Sequence, residues 1–207
     1  RDGTLILDKH YLADPAGVEL IGGVSAALAR AHALGYLLFI VTNQSGIGRG
    51  LYSLDDVLRC NDRMEELLGL PRPIFAGVCI APEGPDQPSR YRKPSPAYLL
   101  ESIAHHGLDP AQCWMLGDRE SDIRCGLDAK IHSAAVCTGK HDAAGWAGLV
   151  AGARSAMQFC VQSLIPEGSV NLPLTSRLSL LETIFPIVEQ AGAEEIVREA
   201  LNEAARH

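Results

Sequence analysis

Four short groups of residues stand out because their types and spacing suit phosphate chemistry. Asp2-Gly3-Thr4 puts a carboxylate ahead of a flexible turn, and Thr42-Asn43-Gln44-Ser45 offers a run of neutral polar groups. Arg92-Lys93 is a cationic pair, and Gly117-Asp118 with Asp122 one helical turn on supplies two more carboxylates. Carboxylates can move protons or hold a hard cation. Hydroxyls and amides bind phosphoryl oxygens without a charge that must be desolvated, while Lys and Arg offset phosphate charge. Each group alone keeps a plain structural alternative. Asp2 can cap a turn, residues 43–45 can form an ordinary polar turn, Arg92-Lys93 can be a surface pair, and Asp122 is an acid favoured at a helix start. The four in one order favour a phosphate-transfer site.

Such residues need a scaffold that delivers several loops to one edge. Residues 5–7 read as the end of a first strand and 8–15 as a loop. Val24, Leu28 and Ala31 recur at helical spacing until Gly35, and 36–41 reads as a short buried strand. Ser53 followed by Asp56 is a capping-box pattern for a helix reaching about Leu68. Residues 74–80 form the next expected strand, and 81–90, rich in Pro and charge, a loop. Ser95 and Pro96 open a helix to His106. A strand at 114–116, a helix at 120–128 and a strand at 131–137 complete the pattern. Strands alternating with helices imply an α/β fold with a mainly parallel sheet covered on both faces. Each motif then follows a strand, where open α/β sheets place their ligands. The stretches from Thr4 to Thr42 and from Gly50 to Lys93 leave no room for a separate cap domain. Gly46-x-Gly48-Arg49-Gly50 reads as a flexible stretch that brings backbone to the ligand.

Composition narrows the class. A chain of 207 residues that is 47% hydrophobic can bury one substantial core. It has no apolar run near the roughly 20 residues that span a bilayer, so no membrane partner is expected. A net charge of −7, with no basic stripe, argues against a nucleic-acid face. Cys60, Cys79, Cys113, Cys125, Cys137 and Cys160 lack the spacing of a disulfide scaffold and read as reduced thiols of a cytoplasmic protein. His105, His106 and His141 read as surface or helix-end residues.

The motifs and their order resemble those of the haloacid dehalogenase-like (HAD) phosphatases, and more narrowly the D-glycero-D-manno-heptose 1,7-bisphosphate and histidinol-phosphate phosphatases, over residues 1–140. The family's opening motif is Asp-Arg-Asp-Gly-Thr. Arg1 to Thr4 match all of it but the first Asp, whose place lies ahead of Arg1, so the chain reads as a fragment or a trimmed product with its first strand cut short. The resemblance implies a Rossmann-like, capless HAD fold in which that Asp is the nucleophile and Asp2 the general acid and base. It further implies that Asp8-Lys9-His10-Tyr11, Thr42-Asn43-Gln44-Ser45, Arg92 and Arg119 contact substrate, and that Lys93 binds phosphate beside the nucleophile. Mg²⁺ would be held by the missing Asp, Asp118 and the backbone carbonyl of Asp2, and Asp122 would orient Lys93 or a metal-bound water.

Many relatives also carry a zinc loop, Cys-x-His followed by Cys-x-Cys-Arg-Lys-Pro. Here Cys79 is present, but Ala81, Ser89 and Tyr91 stand at the other three ligand positions, so zinc is not expected and Pro82, Pro85 and Pro88 are left to hold the loop. The implied activity is Mg²⁺-dependent hydrolysis of a small sugar phosphate through a phosphoaspartyl intermediate, with heptose 1,7-bisphosphate losing its 7-phosphate. Histidinol-phosphate phosphatase is the nearest alternative. A non-catalytic phosphosugar-binding module lacking the nucleophile is the alternative of another class. Residues 141–207 lie outside the resemblance. They read as a helical tail or the start of another domain, with a linker at 165–173 and amphipathic helices at 178–188 and 193–204.

Overall fold

The computed structural model describes residues 1–146. The linker and helices expected between 165 and 204 lie outside the described residues. Within them, four short strands form two parallel pairs. β1 (Phe39–Asn43) runs beside β2 (Gly77–Ala81), with Val41 opposite Cys79; β3 (Trp114–Gly117) runs beside β4 (His132–Ala135), with Met115 opposite Ser133. Helix α1 (Val24–Ala33) precedes β1, α2 (Ser45–Gly48) is a single turn just after it, and α3 (Leu54–Leu68), α4 (Ala97–His106) and α5 (Glu120–Asp128) separate the successive strands. No separate cap domain interrupts this α/β order among the described residues.

Local chemistry sets the helix ends. At α3 the Ser53 N–H donates to Asp56 Oδ2 at 2.7 Å and the Asp56 N–H donates to Ser53 Oγ at 3.2 Å, which satisfies two otherwise unpaired donors of the first turn. α4 begins one residue later than the Pro96 start expected, with Pro96 itself as the N-cap. α5 has the bounds expected from sequence.

The segment before residue 8 departs from expectation. Residues 5–7 are not a strand. The Arg1 carbonyl accepts from the N–H groups of Thr4, Leu5 and Ile6, closing a tight turn, and only isolated bridges link Asp2 to Ile6 and Ile6 to Leu20. This turn lies between the two strand pairs. Gln44, just after β1, reaches Asp2, while Thr138 Oγ1, after β4, donates to the Gly3 carbonyl at 2.7 Å. The strand expected at 36–41 is also shifted toward its carboxyl end, so that Thr42 and Asn43 belong to β1 itself.

The main core lies under α1 and α3. Val57, Cys60, Met64 and Leu68 line the buried face of α3, and Ile6, Ile40 and Ile74 pack into the same cluster from the other side. Met64 has no solvent exposure. Met64→Ala is expected to lower stability by about 2–5 kcal/mol, with the urea midpoint falling at unchanged slope; a midpoint within error of the parent would contradict this account of the core.

Candidate functional site

At the carboxyl ends of β1 and β3 the turn of residues 1–4 opens into a polar cavity of about 310 Å³. Asp2, Asp8, His10, Tyr11, Thr42, Asn43, Gln44, Ser45, Arg92, Lys93, Asp118, Arg119 and Asp122 all line it. Lys9 does not. Its ammonium turns outward to pair with Glu19, because the loop folds back on itself there. Of the residues proposed from sequence, Lys9 is therefore the one the fold leaves out.

The charges in the cavity come in matched partners. Arg1 Nη2 meets Asp2 Oδ1 at 3.0 Å, Lys93 Nζ meets Asp122 Oδ1 at 2.7 Å, and Arg119 Nη2 meets Asp8 Oδ2 at 2.7 Å. Arg92 donates from Nη1 to the Glu83 carbonyl at 2.8 Å. The cavity thus sets Arg1, Arg92, Lys93 and Arg119 against Asp2, Asp8, Asp118 and Asp122, and an anion meets a locally balanced site despite the chain's net charge of −7.

Asp118 is held differently from the other three carboxylates. It is 2% exposed, its Oδ2 accepts the Lys140 N–H at 2.9 Å, and Arg119 Nε lies 3.8 Å away. Cβ atoms placed at Gly3 and Gly139 would fall 2.5 and 2.2 Å from that oxygen, so both positions need glycine to let the backbone close around it. A buried oxygen donor facing a polar cavity suits a hard cation such as magnesium. Among the described residues no three His, Cys, Asp or Glu side chains gather into a metal cluster.

The elements explain how each group is aimed. Asn43 clamps the backbone of Lys93: its Nδ2 donates to the Lys93 carbonyl at 3.0 Å and its Oδ1 accepts the Lys93 N–H at 2.9 Å. Lys93 Nζ also donates to the Val41 carbonyl at 2.7 Å. Asn43 thus serves first to fix Lys93, with its amide already engaged at both ends. Asp122 folds back over the start of α5, where its Oδ2 accepts the Arg119 N–H at 3.0 Å. A Cβ at Gly117 would lie 2.2 Å from that same oxygen, so only glycine permits the fold-back.

The loop at 81–90 is tied by more than its prolines. Ser89 Oγ donates to Glu83 Oε2 at 2.8 Å and accepts the Arg92 N–H at 3.1 Å, while Gln87 Oε1 accepts the Gly84 N–H at 2.7 Å. Cys79 lies buried in β2 with its thiol pushed up to about 11 by burial, which keeps it protonated and a poor metal ligand. Cys60, Cys113, Cys125 and Cys137 are likewise free.

On the opposite rim, His10 and Tyr11 both adopt left-handed backbone angles, φ +48° and +52°, unusual for side chains of their size. The Asp8 carboxylate accepts the His10 N–H at 3.1 Å and the Tyr11 hydroxyl accepts from Arg49 Nη1 at 2.8 Å, which together hold this turn.

Several contributors were given no role from the sequence. Arg1 is buried, and its Nη1 donates to Asn61 Oδ1 on α3 at 3.0 Å, anchoring the group that holds Asp2. Tyr52 and Ser121 also line the cavity. Gly46 and Gly48, read from sequence as flexible approach to a ligand, are needed for packing. A Cβ at Gly46 would strike the Tyr52 ring at 2.2 Å, and one at Gly48 would meet the Pro82 carbonyl at 2.8 Å.

Asp2 is pulled two ways. Burial pushes its pKa up, while the Arg1 charge and hydrogen bonds from Arg1 and Gln44 pull it down, and the net direction is down. A proton therefore binds the unfolded chain more tightly. The stability Asp2 contributes is present above the ordinary carboxylate pKa of about 4 and is lost as pH falls through the lower folded value. Asp2→Asn should flatten the acid-side loss of stability below about pH 4, read as the urea midpoint at several pH values; an unchanged acid slope would contradict the pairing.

Comparison with known proteins agrees with this geometry. The HAD-hydrolase-like family matches residues 90–162. The D-glycero-beta-D-manno-heptose-1,7-bisphosphate 7-phosphatase of Helicobacter pylori is 35% identical over 132 residues, covering 63% of this chain and 76% of that protein. The enzyme of the same name from Pasteurella multocida is 37% identical over 147 residues, covering 68% and 80%. The D,D-heptose 1,7-bisphosphate phosphatase of B. bronchiseptica, crystallised with magnesium and phosphate, superposes with a TM-score of 0.65 at 26% identity over 74% of this chain and 84% of that one. A HAD-like phosphatase from Mesorhizobium loti gives 0.59 at 29% identity, over 73% and 81%. Sequence likeness over most of the relatives' length, on a shared fold, makes this chain a member of the HAD-like hydrolases, in the family of the heptose 1,7-bisphosphate 7-phosphatases.

Proposed function

We propose that the protein is a magnesium-dependent phosphatase that removes the 7-phosphate of D-glycero-D-manno-heptose 1,7-bisphosphate. The observation that carries this reading is the convergence of Asp2, Thr42, Lys93 and Asp118 on one cavity, in a chain whose relatives bear that activity in their names. A cytoplasmic location goes with it, since the described cysteines are free thiols.

In a protein that carries the family motif in full, the nucleophile is the Asp directly ahead of Arg1. Its carboxylate attacks phosphorus, the bond from phosphorus to the sugar oxygen breaks, and Asp2 gives its proton to that oxygen. Water then attacks phosphorus of the acyl phosphate, Asp2 takes its proton, and orthophosphate leaves as the nucleophile is regenerated. Asp2 must gain a proton before the first step, although Arg1 and Gln44 favour its ionised form in the free site. Phosphate arriving beside it brings negative charge, which raises its proton affinity.

Lys93, braced by Asp122 and by the Val41 carbonyl, offsets charge on the phosphoryl oxygens. The Thr42 hydroxyl accepts from Gln44 Nε2 at 2.8 Å, which leaves its own proton for a phosphoryl oxygen. Magnesium, held by Asp118, the Asp2 carbonyl and the nucleophile, would supply further charge neutralisation at those oxygens. Arg92, Arg119 and the turn of Asp8, His10 and Tyr11 face the rest of the sugar, with Ser45 beside Gln44.

The test is phosphate release by the full-length protein with Mg²⁺, comparing heptose 1,7-bisphosphate, histidinol phosphate and an aryl phosphate. The bisphosphate should be preferred by at least about 100-fold in kcat/KM, a difference of about 3 kcal/mol in transition-state binding. Preference for histidinol phosphate would overturn the substrate assignment. Chelation of Mg²⁺ should stop release from every substrate, and turnover that persists under chelation would overturn the metal assignment.

A further inference from the structure

Behind Asp2 runs a line of hydrogen bonds whose far end, at Tyr52, the reaction scheme above does not use. Gln44 is buried, and its Nε2 donates both to Asp2 Oδ2 at 2.9 Å and to Thr42 Oγ1 at 2.8 Å. An amide has a donating and an accepting end, and a half-turn of the side chain exchanges them. With the ends exchanged, Oε1 would face the Asp2 carboxylate, acceptor against acceptor. What holds the accepting end away is Tyr52, whose hydroxyl donates to Gln44 Oε1 at 2.7 Å.

The Tyr52 hydroxyl has one proton, and it goes to Gln44. The ring that carries it is fixed by packing, because it fills the space above Gly46 that any Cβ there would need, at 2.2 Å from its Cε1. The order is thus Tyr52, Gln44, then Asp2 and Thr42, running from a phenol to the two groups given proton transfer and phosphate binding.

We propose that Tyr52 is a positioning residue for phosphate transfer, its hydroxyl locking the Gln44 amide so that one NH₂ group holds Asp2 and Thr42 in their working geometry. Tyr52 acts through Gln44 in this arrangement and need not touch the reacting atoms. The inference rests on the reading of Asp2 as the acid and base. Loss of the hydroxyl leaves the amide free to turn, releases the Asp2 carboxylate from one of its fixed partners, and lowers the fraction of bound substrate that meets an aligned proton donor.

Tyr52→Phe keeps the ring over Gly46 and removes only the hydroxyl, and Gln44→Met keeps the side-chain volume without either polar end. Turnover of the full-length protein on heptose 1,7-bisphosphate with Mg²⁺ is measured for both, for their double variant and for Asp2→Asn, alongside thermal unfolding. Tyr52→Phe should lower kcat about tenfold with KM within about twofold of the parent. The double variant should be no slower than Gln44→Met alone, because both changes break the same line. A Tyr52→Phe enzyme with parental kcat, or losses that multiply in the double variant, would overturn the proposal, as would a rise in KM at unchanged kcat. Should Tyr52→Phe unfold at low temperature, Gly46→Ala, which displaces the ring, takes its place with the same expected split and the same contrary outcomes. Asp2→Asn separates the two levels. An inactive Asp2→Asn beside a fully active Tyr52→Phe defeats this inference alone, whereas an active Asp2→Asn defeats the acid and base reading beneath it.

Discussion

Four carboxylates, Asp2, Asp8, Asp118 and Asp122, share one cavity, and the rest of the site follows from the cations and donors set against them. A carboxylate taken out of water is costly unless it is paired and hydrogen-bonded. Three of them are answered by a cation at 2.7–3.0 Å, namely Arg1, Arg119 and Lys93. The fourth, Asp118, takes a backbone N–H and keeps its cation at 3.8 Å. That inequality is informative. The paired carboxylates fix Arg1, Arg119 and Lys93 in place, while Asp118 is left with no cation at contact distance.

Holding these pairs in register calls on segments far apart in the chain. Arg1 would be an isolated buried cation without Asp2 and without Asn61 on α3, and leaving such a charge unpaired is costly. The capping box at Ser53 and the Met64 core hold α3 in place, so the helix that supplies Asn61 is fixed by packing remote from the cavity. Lys93 is likewise bound on three sides, by Asn43 and Val41 of β1 and by Asp122 of α5. Pre-organisation of this kind removes the need to reorder the site as charge moves on phosphate.

Much of this was legible in the sequence because it is local. The Ser53 and Asp56 pair announces α3, the helix expected at 120–128 matches α5, and Thr42-Asn43 and Gly117-Asp118 do fall at the carboxyl ends of β1 and β3. Cavity-lining positions such as Thr42 and Asp118 follow from that placement. What stayed hidden is long-range. The Arg1 to Asn61 bond spans 60 residues, and nothing in the pattern around Asn61 marks it as more than a polar residue on a helix. The reading of residues 5–7 as a strand failed because an apolar run cannot show that the Arg1 carbonyl will close a turn over it. Lys9 lies between two cavity residues and still faces away, since adjacent positions on a turn need not share a face. The packing demand at Gly46 and Gly48 stayed hidden for a related reason: only the fold reveals that Tyr52 and Pro82 leave no space for a Cβ there.

The central claim is that Asp2 moves the proton in both halves of a phosphoaspartyl reaction. An aryl phosphate tests it directly, because its leaving group needs no proton to depart while hydrolysis of the enzyme intermediate still needs a base. The measurement is the time course of aryl alcohol release by full-length Asp2→Asn protein at high enzyme concentration with Mg²⁺. This account predicts a burst of about one equivalent followed by near arrest, with phosphate trapped on the protein. Steady release at the parental rate, with no burst and no trapped phosphate, would contradict it.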